Sequence, residues 1–215
     1  MCSLTDIERE LFKQLCLLEN YDVIKLITEK VVIEVRQINQ ILHKIKNDGR
    51  SAGTPSYLLM SLKQTYQDHK GIVMACVWQW GPSLKYASKR LQGDREVVKE
   101  ALVWNGTPLE YASKELRADM YIVFTAVVRH GDALQYASDE LRGDREVVLA
   151  AVRQYGYALE YASEELRGDR EVVLAAVWQN GRALEYASQV LQSDQEIISE
   201  AEWSVNKSYH RWDDY

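Results

Sequence analysis

Gly81, Gly106, Gly131, Gly156 and Gly181 recur every 25 residues, and Tyr-Ala-Ser triplets at 86–88, 111–113, 136–138, 161–163 and 186–188 keep step with them. A unit this short cannot bury its own apolar face and must stack on its neighbours. The recurrence therefore predicts an all-α fold, a short-hairpin α-solenoid of 25-residue repeats. An array lengthens by adding units along an axis, so 215 residues need not gather round a single core.

Repeat four, residues 141–165, shows how each unit is written. Asp144 precedes an apolar run and has Glu146 in the following turn, which reads as an N-cap with a favourable charge at the helix N-terminus. Val147, Val148, Ala151 and Val152 fall at helical spacing. Gly156 then reads as a left-handed residue ending the helix. A second helix is predicted over about 157–167, with Leu159, Ala162 and Leu166 on one face. Tyr161 points away from that face, so the series Tyr86, Tyr111, Tyr136, Tyr161 and Tyr186 predicts ring contacts between repeats, each hydroxyl on a polar partner. Asp94, Asp119, Asp144, Asp169 and Asp194 open successive units.

The period extends back to residue 66, with His69 standing where the capping Asp is due, and forward to about residue 205. Asn206 takes the Gly position as the next-best left-handed residue. The array is thus assigned to 66–205, five full repeats and a partial sixth. Residues 206–215 are assigned to a C-terminal capping tail, in which Tyr209 and Trp212 suggest a lid over the open end.

Residues 1–65 break the period and are assigned to a helical N-terminal cap. Thr5-Asp6-Ile7-Glu8 is a capping box for a helix to about Glu19. From Asp22 to Lys46, Ile24, Val31, Ile38 and Ile45 lie seven apart, an amphipathic pattern that also suits self-association through residues 22–46 as a coiled coil. A loop at 47–53 separates this stretch from a third helix, opened by Thr54-Pro55 and running to about Gln67.

The formal net charge is −6; residues 91–115, 116–140 and 141–165 carry −2 each, and the rest of the chain cancels. Phosphate neutralisation needs a basic stripe, so nucleic acid is not an expected partner. Cys2, Cys16 and Cys76 show no Cys-x-x-Cys and suit a reducing compartment. No run of about 18 apolar residues offers a membrane span, and the acidic N-terminus does not read as a cleaved signal. The expected location is cytoplasmic or otherwise intracellular, a reading that leaves room for secretion into a host cell without a cleaved signal.

No cofactor is implied, because the sequence has no Gly-rich phosphate loop, and His43, His69, His130 and His210 have no metal-ligand spacing. The repeated Gly-Asp-Arg-Glu reads as a structural turn, since the Asp carboxylate is occupied by backbone N–H groups. Specificity is expected where packing leaves residues free to vary, beside the Gly. The candidate partner-binding residues there are Trp78, Trp80, Trp104, Arg129, Arg153, Tyr155, Tyr157, Trp178 and Arg182, rich in the types that dominate binding hot spots.

The string Asp-Arg-Glu-Val-Val-Leu-Ala-Ala-Val-x-x-x-Gly-x-Ala-Leu-Glu-Tyr-Ala-Ser-x-x-Leu, starting at Asp144 and again at Asp169, resembles the repeat of the family known as domain of unknown function 4116. The resemblance covers about residues 66–205, with departures at His69 and at Met120, which replaces the usual Arg. It implies tandem use and a complex-assembly or host-facing role, and it brings no catalytic residues. Two function classes follow. The first is a non-enzymatic scaffold or adaptor that binds a protein along the edge of the array. The second is an enzyme or small-molecule binder with a pocket between the N-terminal cap and the first repeats, near Thr54 to Trp80.

Overall fold

Residues 21–47, 54–103 and 106–210 are described in a computed structural model. They form helices, with no strand among the described residues. The expected helix from Thr5 to Glu19 lies outside them. The chain divides into two compact bodies, residues 1–49 and 50–215. The first contains the helix Tyr21–Asn47, on which Ile45 is buried, Val35, Ile38 and Leu42 are half-buried and Ile33 is exposed.

The second body is the α-solenoid that the period requires. Each repeat contributes a long helix, and the six are Lys70–Gln79, Arg95–Ala101, Met120–Arg129, Arg145–Gln154, Arg170–Gln179 and Gln195–His210. Equivalent long helices pack side by side in one layer. Asp144 opens the fourth by accepting from the N–H groups of Glu146 and Val147, each at 3.0 Å, and Asp169 repeats the arrangement. His69 does the same work in repeat one, its Nδ1 accepting from Ile72 N–H at 3.3 Å. Val147, Val148, Ala151 and Val152, with their counterparts in repeat five, are wholly buried.

The second half of the repeat differs from the single helix expected over 157–167. It is a 3-10 helix, Gly156–Tyr161, then an extended break at Ala162, then a single α turn, Glu164–Arg167. Spacing of three suits a 3-10 helix as well as an α-helix, so Leu159, Ala162 and Leu166 are buried either way. The break is made by Ser163, whose Oγ caps the short turn by accepting from Leu166 N–H at 3.4 Å. Its own N–H donates at 2.9 Å to Arg142 O, in the short turn Asp139–Arg142 that ends the preceding structural unit, just before the Asp144 cap. The same bond joins Ser113 to Gln92, Ser138 to Arg117 and Ser188 to Arg167, so successive repeats are stitched through backbone at a fixed register. The 3-10 helices form a second layer, with each next long helix packed against them.

The glycines are also used differently from the left-handed role expected. None of the described glycines lies in the left-handed region; Gly106, for example, is at φ −79°. What the position requires is close approach. A Cβ on Gly156 would lie 2.6 Å from the carbonyl oxygen of Ala176 and 2.8 Å from Gln179 Oε1, both on the next long helix. Ala101, Ala126, Ala151 and Ala201 present the same carbonyl to the other four repeat glycines. The Gly156 N–H in turn donates to Gln179 Oε1 at 2.6 Å, and Gly131 N–H to Gln154 Oε1 at 2.6 Å.

At the ends of the array the pattern is modified rather than abandoned. The one helix expected from Thr54 to about Gln67 is two, Thr54–Ser61 and Gln64–Gln67, because Lys63 leaves the helical conformation (ψ 149°); both pack on the first repeat, and Gln67 O accepts from Ser88 N–H in the stitching series. Residues 54–67 therefore act as a half-repeat in front of repeat one. At the other end Asn206 is not a left-handed stop, because the helix runs on through it to His210. Glu202 is exposed where Val152 and Val177 are buried. The side chain of Tyr209, and Trp212 altogether, lie outside the described residues.

Candidate functional site

The long helices are amphipathic in an unusual way, because much of their outward side is apolar too. Three residues before each Gly position stand Trp78, Val103, Val128, Arg153, Trp178 and Trp203, all exposed, Trp78 at 64% and Trp178 at 57%. In repeat three the outward positions are Met120, Tyr121, Phe124 and Val128, each between 41% and 51% exposed. Single exposed apolar residues are ordinary, but four on a ten-residue helix are a patch.

The charges at the helix N-termini explain why repeat three stands out. Arg145 pairs with Asp169 (3.2 Å) and with Glu171 of the next repeat, and Arg170 pairs with Asp194 (2.6 Å) and Glu196. Lys70 bridges Asp94 and Glu96 in the same way. Met120 and Tyr121 replace the Arg and Glu of that ladder, so among the described residues Asp144 and Glu146 have no ion pair. On the intact rungs the carboxyl is tuned. Partial burial works against the ionised form of Asp169, but the N–H groups of Val172 and Glu171 and the Arg145 guanidinium outweigh it and hold the pKa below the usual carboxylate range.

Between the long helices of repeats four and five lies an open groove of about 570 Å³. Leu149, Leu174 and Ala175 line it, Trp178 and Gln179 stand on one wall, and Arg145, Arg153 and Glu171 border it. The Trp178 indole N–H donates to Glu200 Oε2 at 2.9 Å, which ties its ring to the following helix. Arg145 is already paired with Glu171. Arg153 is exposed and has no ion pair or hydrogen bond among the described residues.

The nine residues singled out from the sequence do not make one edge. Arg153 and Trp178 come together in the groove, and Trp78 occupies the equivalent place on repeat one. Tyr155 and Tyr157 join a separate aromatic cluster, their rings 5.5 Å apart, with Tyr186 edge-on to Tyr157 at 6.0 Å. The tyrosine series behind it is half-buried along the 3-10 layer. There burial, and then carboxylates such as Glu110, Glu160 and Glu185, push the phenols of Tyr111, Tyr161 and Tyr186 up. Arg129 donates to Val103 O at 2.9 Å and so bridges two repeats. Trp80 is half-buried at the end of its helix, Arg182 is exposed, and Trp104 lies outside the described residues.

Leu149, Leu174, Tyr121 and Phe124 were missed by attention to the Gly, and Met120 was marked only as a departure from the repeat. Their signal was present in the 25-residue register, where Phe124, Leu149 and Leu174 share one position and Met120 interrupts a column of cations. A second groove, about 410 Å³, is lined by Lys114, Arg117, Tyr136, Ser138 and Arg142. Neither groove is lined by residues 54–80. No group of three His, Cys, Asp or Glu placed to hold a metal occurs among the described residues, and none of their helices is long and apolar enough to cross a membrane.

The family model described as Domain of unknown function (DUF4116) matches residues 69–117, 119–167 and 169–201, more than half of the chain. The chain belongs to this family. Each full match runs from a capping residue, His69 or Asp119, to the end of a short α turn two repeats later, so the family's unit is a pair of the 25-residue repeats. Comparison with curated proteins and with solved structures finds no match.

Proposed function

We propose that this chain is a non-enzymatic interaction scaffold that holds a protein partner on the outward face of its long helices, with the groove of repeats four and five at the centre. The observation that carries this reading is the apolar outward side of those helices, above all Met120, Tyr121, Phe124 and Val128 beside the groove lined by Leu149, Leu174 and Trp178. Contiguous apolar surface rimmed by polar groups is what protein interfaces present, and Trp, Tyr and Arg dominate their energetics.

Affinity capture from the native source, read by mass spectrometry, tests this with three baits. Wild-type and Glu165→Lys baits, the latter altered on the short-turn edge, are expected to retain the same partner. A Phe124→Ser, Trp178→Ala bait is expected to lose it, since truncating one central anchor commonly costs about 2 kcal/mol, roughly thirty-fold in affinity. Equal capture by all three would refute an interface on this face.

A further inference from the structure

Resting on that reading, we infer that the groove of repeats four and five receives an amphipathic α-helix of the partner. That helix runs antiparallel to the two host helices and sets a carboxylate of its first turn against Arg153.

The walls decide the ligand's backbone. Both are α-helices, Arg145–Gln154 and Arg170–Gln179, whose interior N–H and C=O groups bond along the helix. No edge is free for an added strand. An extended peptide would leave its own backbone polar groups unpaired over Leu149, Leu174 and Ala175, whereas a helix brings its hydrogen bonds with it. The groove also has the right length. From Arg145 to Arg153 the wall rises about 12 Å, the span of an i, i+3/i+4, i+7 series of anchors.

Charge decides the direction. The host helices are parallel, because Arg145 meets Asp169 and Glu171 at their N-terminal ends while Gln179 Nε2 donates to Gln154 O at their C-terminal ends. At the N-terminal end Arg145 is satisfied by those two carboxylates. At the C-terminal end Arg153 is a cation without a partner among the described residues, beside two helix termini that carry partial negative charge. A ligand helix whose N-terminus and first-turn Asp or Glu arrive there complements both. The opposite orientation places its partial negative end against theirs and leaves Arg153 unmatched.

The test is selection of a displayed library of 16-residue helix-favouring peptides on the full chain. Binding of the enriched peptides is then measured by fluorescence polarisation. Enriched sequences are expected to carry the i, i+3/i+4, i+7 apolar pattern with Asp or Glu in the first turn. Leu174→Asp is expected to weaken them roughly thirty-fold, on the scale of a hot-spot loss. Arg153→Glu, at an exposed position with no ion pair or hydrogen bond among the described residues, should keep the fold by circular dichroism and melting while shifting the preference to Lys or Arg in the first turn. Extended or Pro-containing winners, winners indifferent to Leu174→Asp, or acidic residues selected only in the last turn would overturn the inference. So would self-association in light scattering that Leu174→Asp abolishes, which would give the groove to a second copy. If no peptide is enriched but native capture still depends on Phe124 and Trp178, the helix inference fails and the scaffold reading survives.

Discussion

The two sides of the long helices obey different rules. Inward, Val147, Val148, Ala151 and Val152 of repeat four are matched by Val172, Val173, Ala176 and Val177 of repeat five, and all eight are fully buried. Outward, Arg153 becomes Trp178, and repeat three exchanges the Arg-Glu start of its neighbours for Met120-Tyr121. A side chain facing the next repeat must fit a translation common to every repeat, so its size is fixed. A side chain facing away has no such constraint, and what stands there is left to binding and solubility.

The comparison breaks most easily at the seam. Gly156→Ala is expected to destabilise the array by about 2–3 kcal/mol, because its Cβ would overlap the Ala176 carbonyl and Gln179 and the stack cannot yield locally. Leu149→Ala on the outward side of the same repeat should stay within about 1 kcal/mol of wild type. Urea melts of both variants decide it; equal stabilities would mean that the seam is no tighter than the face.

A smaller effect belongs to the caps. Asp169→Ala is expected to cost about 1 kcal/mol. The folded pKa of Asp169, like those of Asp94 and Asp119, lies below its ordinary value. Its contribution is therefore fully present above the unfolded value of about 3.9 and is lost as pH falls through the folded value. Melting temperatures from pH 7 to pH 3 should hold steady and then drop below about pH 4, less steeply in the variant. Parallel acid profiles for the two proteins would remove Asp169 from the account.

The smallest expected effect is at the missing rung. Met120→Arg should restore a cation opposite Asp144 and Glu146 and add less than about 1 kcal/mol at low salt. The gain should fade in high salt, where the charges are screened. Thermal melts at two ionic strengths read it. A gain that survives high salt would show that removing an exposed apolar side chain, rather than completing the ladder, is responsible.

Much of the architecture was legible because it repeats. The Asp caps, the buried Val and Ala columns and the long helix of repeat four follow from local helix geometry seen five times over. The second half of the repeat was misread because Leu159, Ala162 and Leu166 fit a continuous helix as well as a 3-10 segment and a short turn. Ser163 was the overlooked signal, a capping residue followed by Glu164 and Glu165. Of the candidate site, Arg153 and Trp178 were visible by type, but the Leu149 and Leu174 floor that joins them was not.

The amino-acid sequence alone determined the period, the helical class and the inward faces, since the period is a recurrence visible along the chain and the other two depend on residues within one turn or one cap of each other. Only the tertiary structure decided why Gly recurs and which variable residues share a surface. Gly156 meets Ala176, and Arg153 and Trp178 line one groove, through the displacement from one repeat to the next, and contacts that cross this displacement leave no pattern within a single repeat.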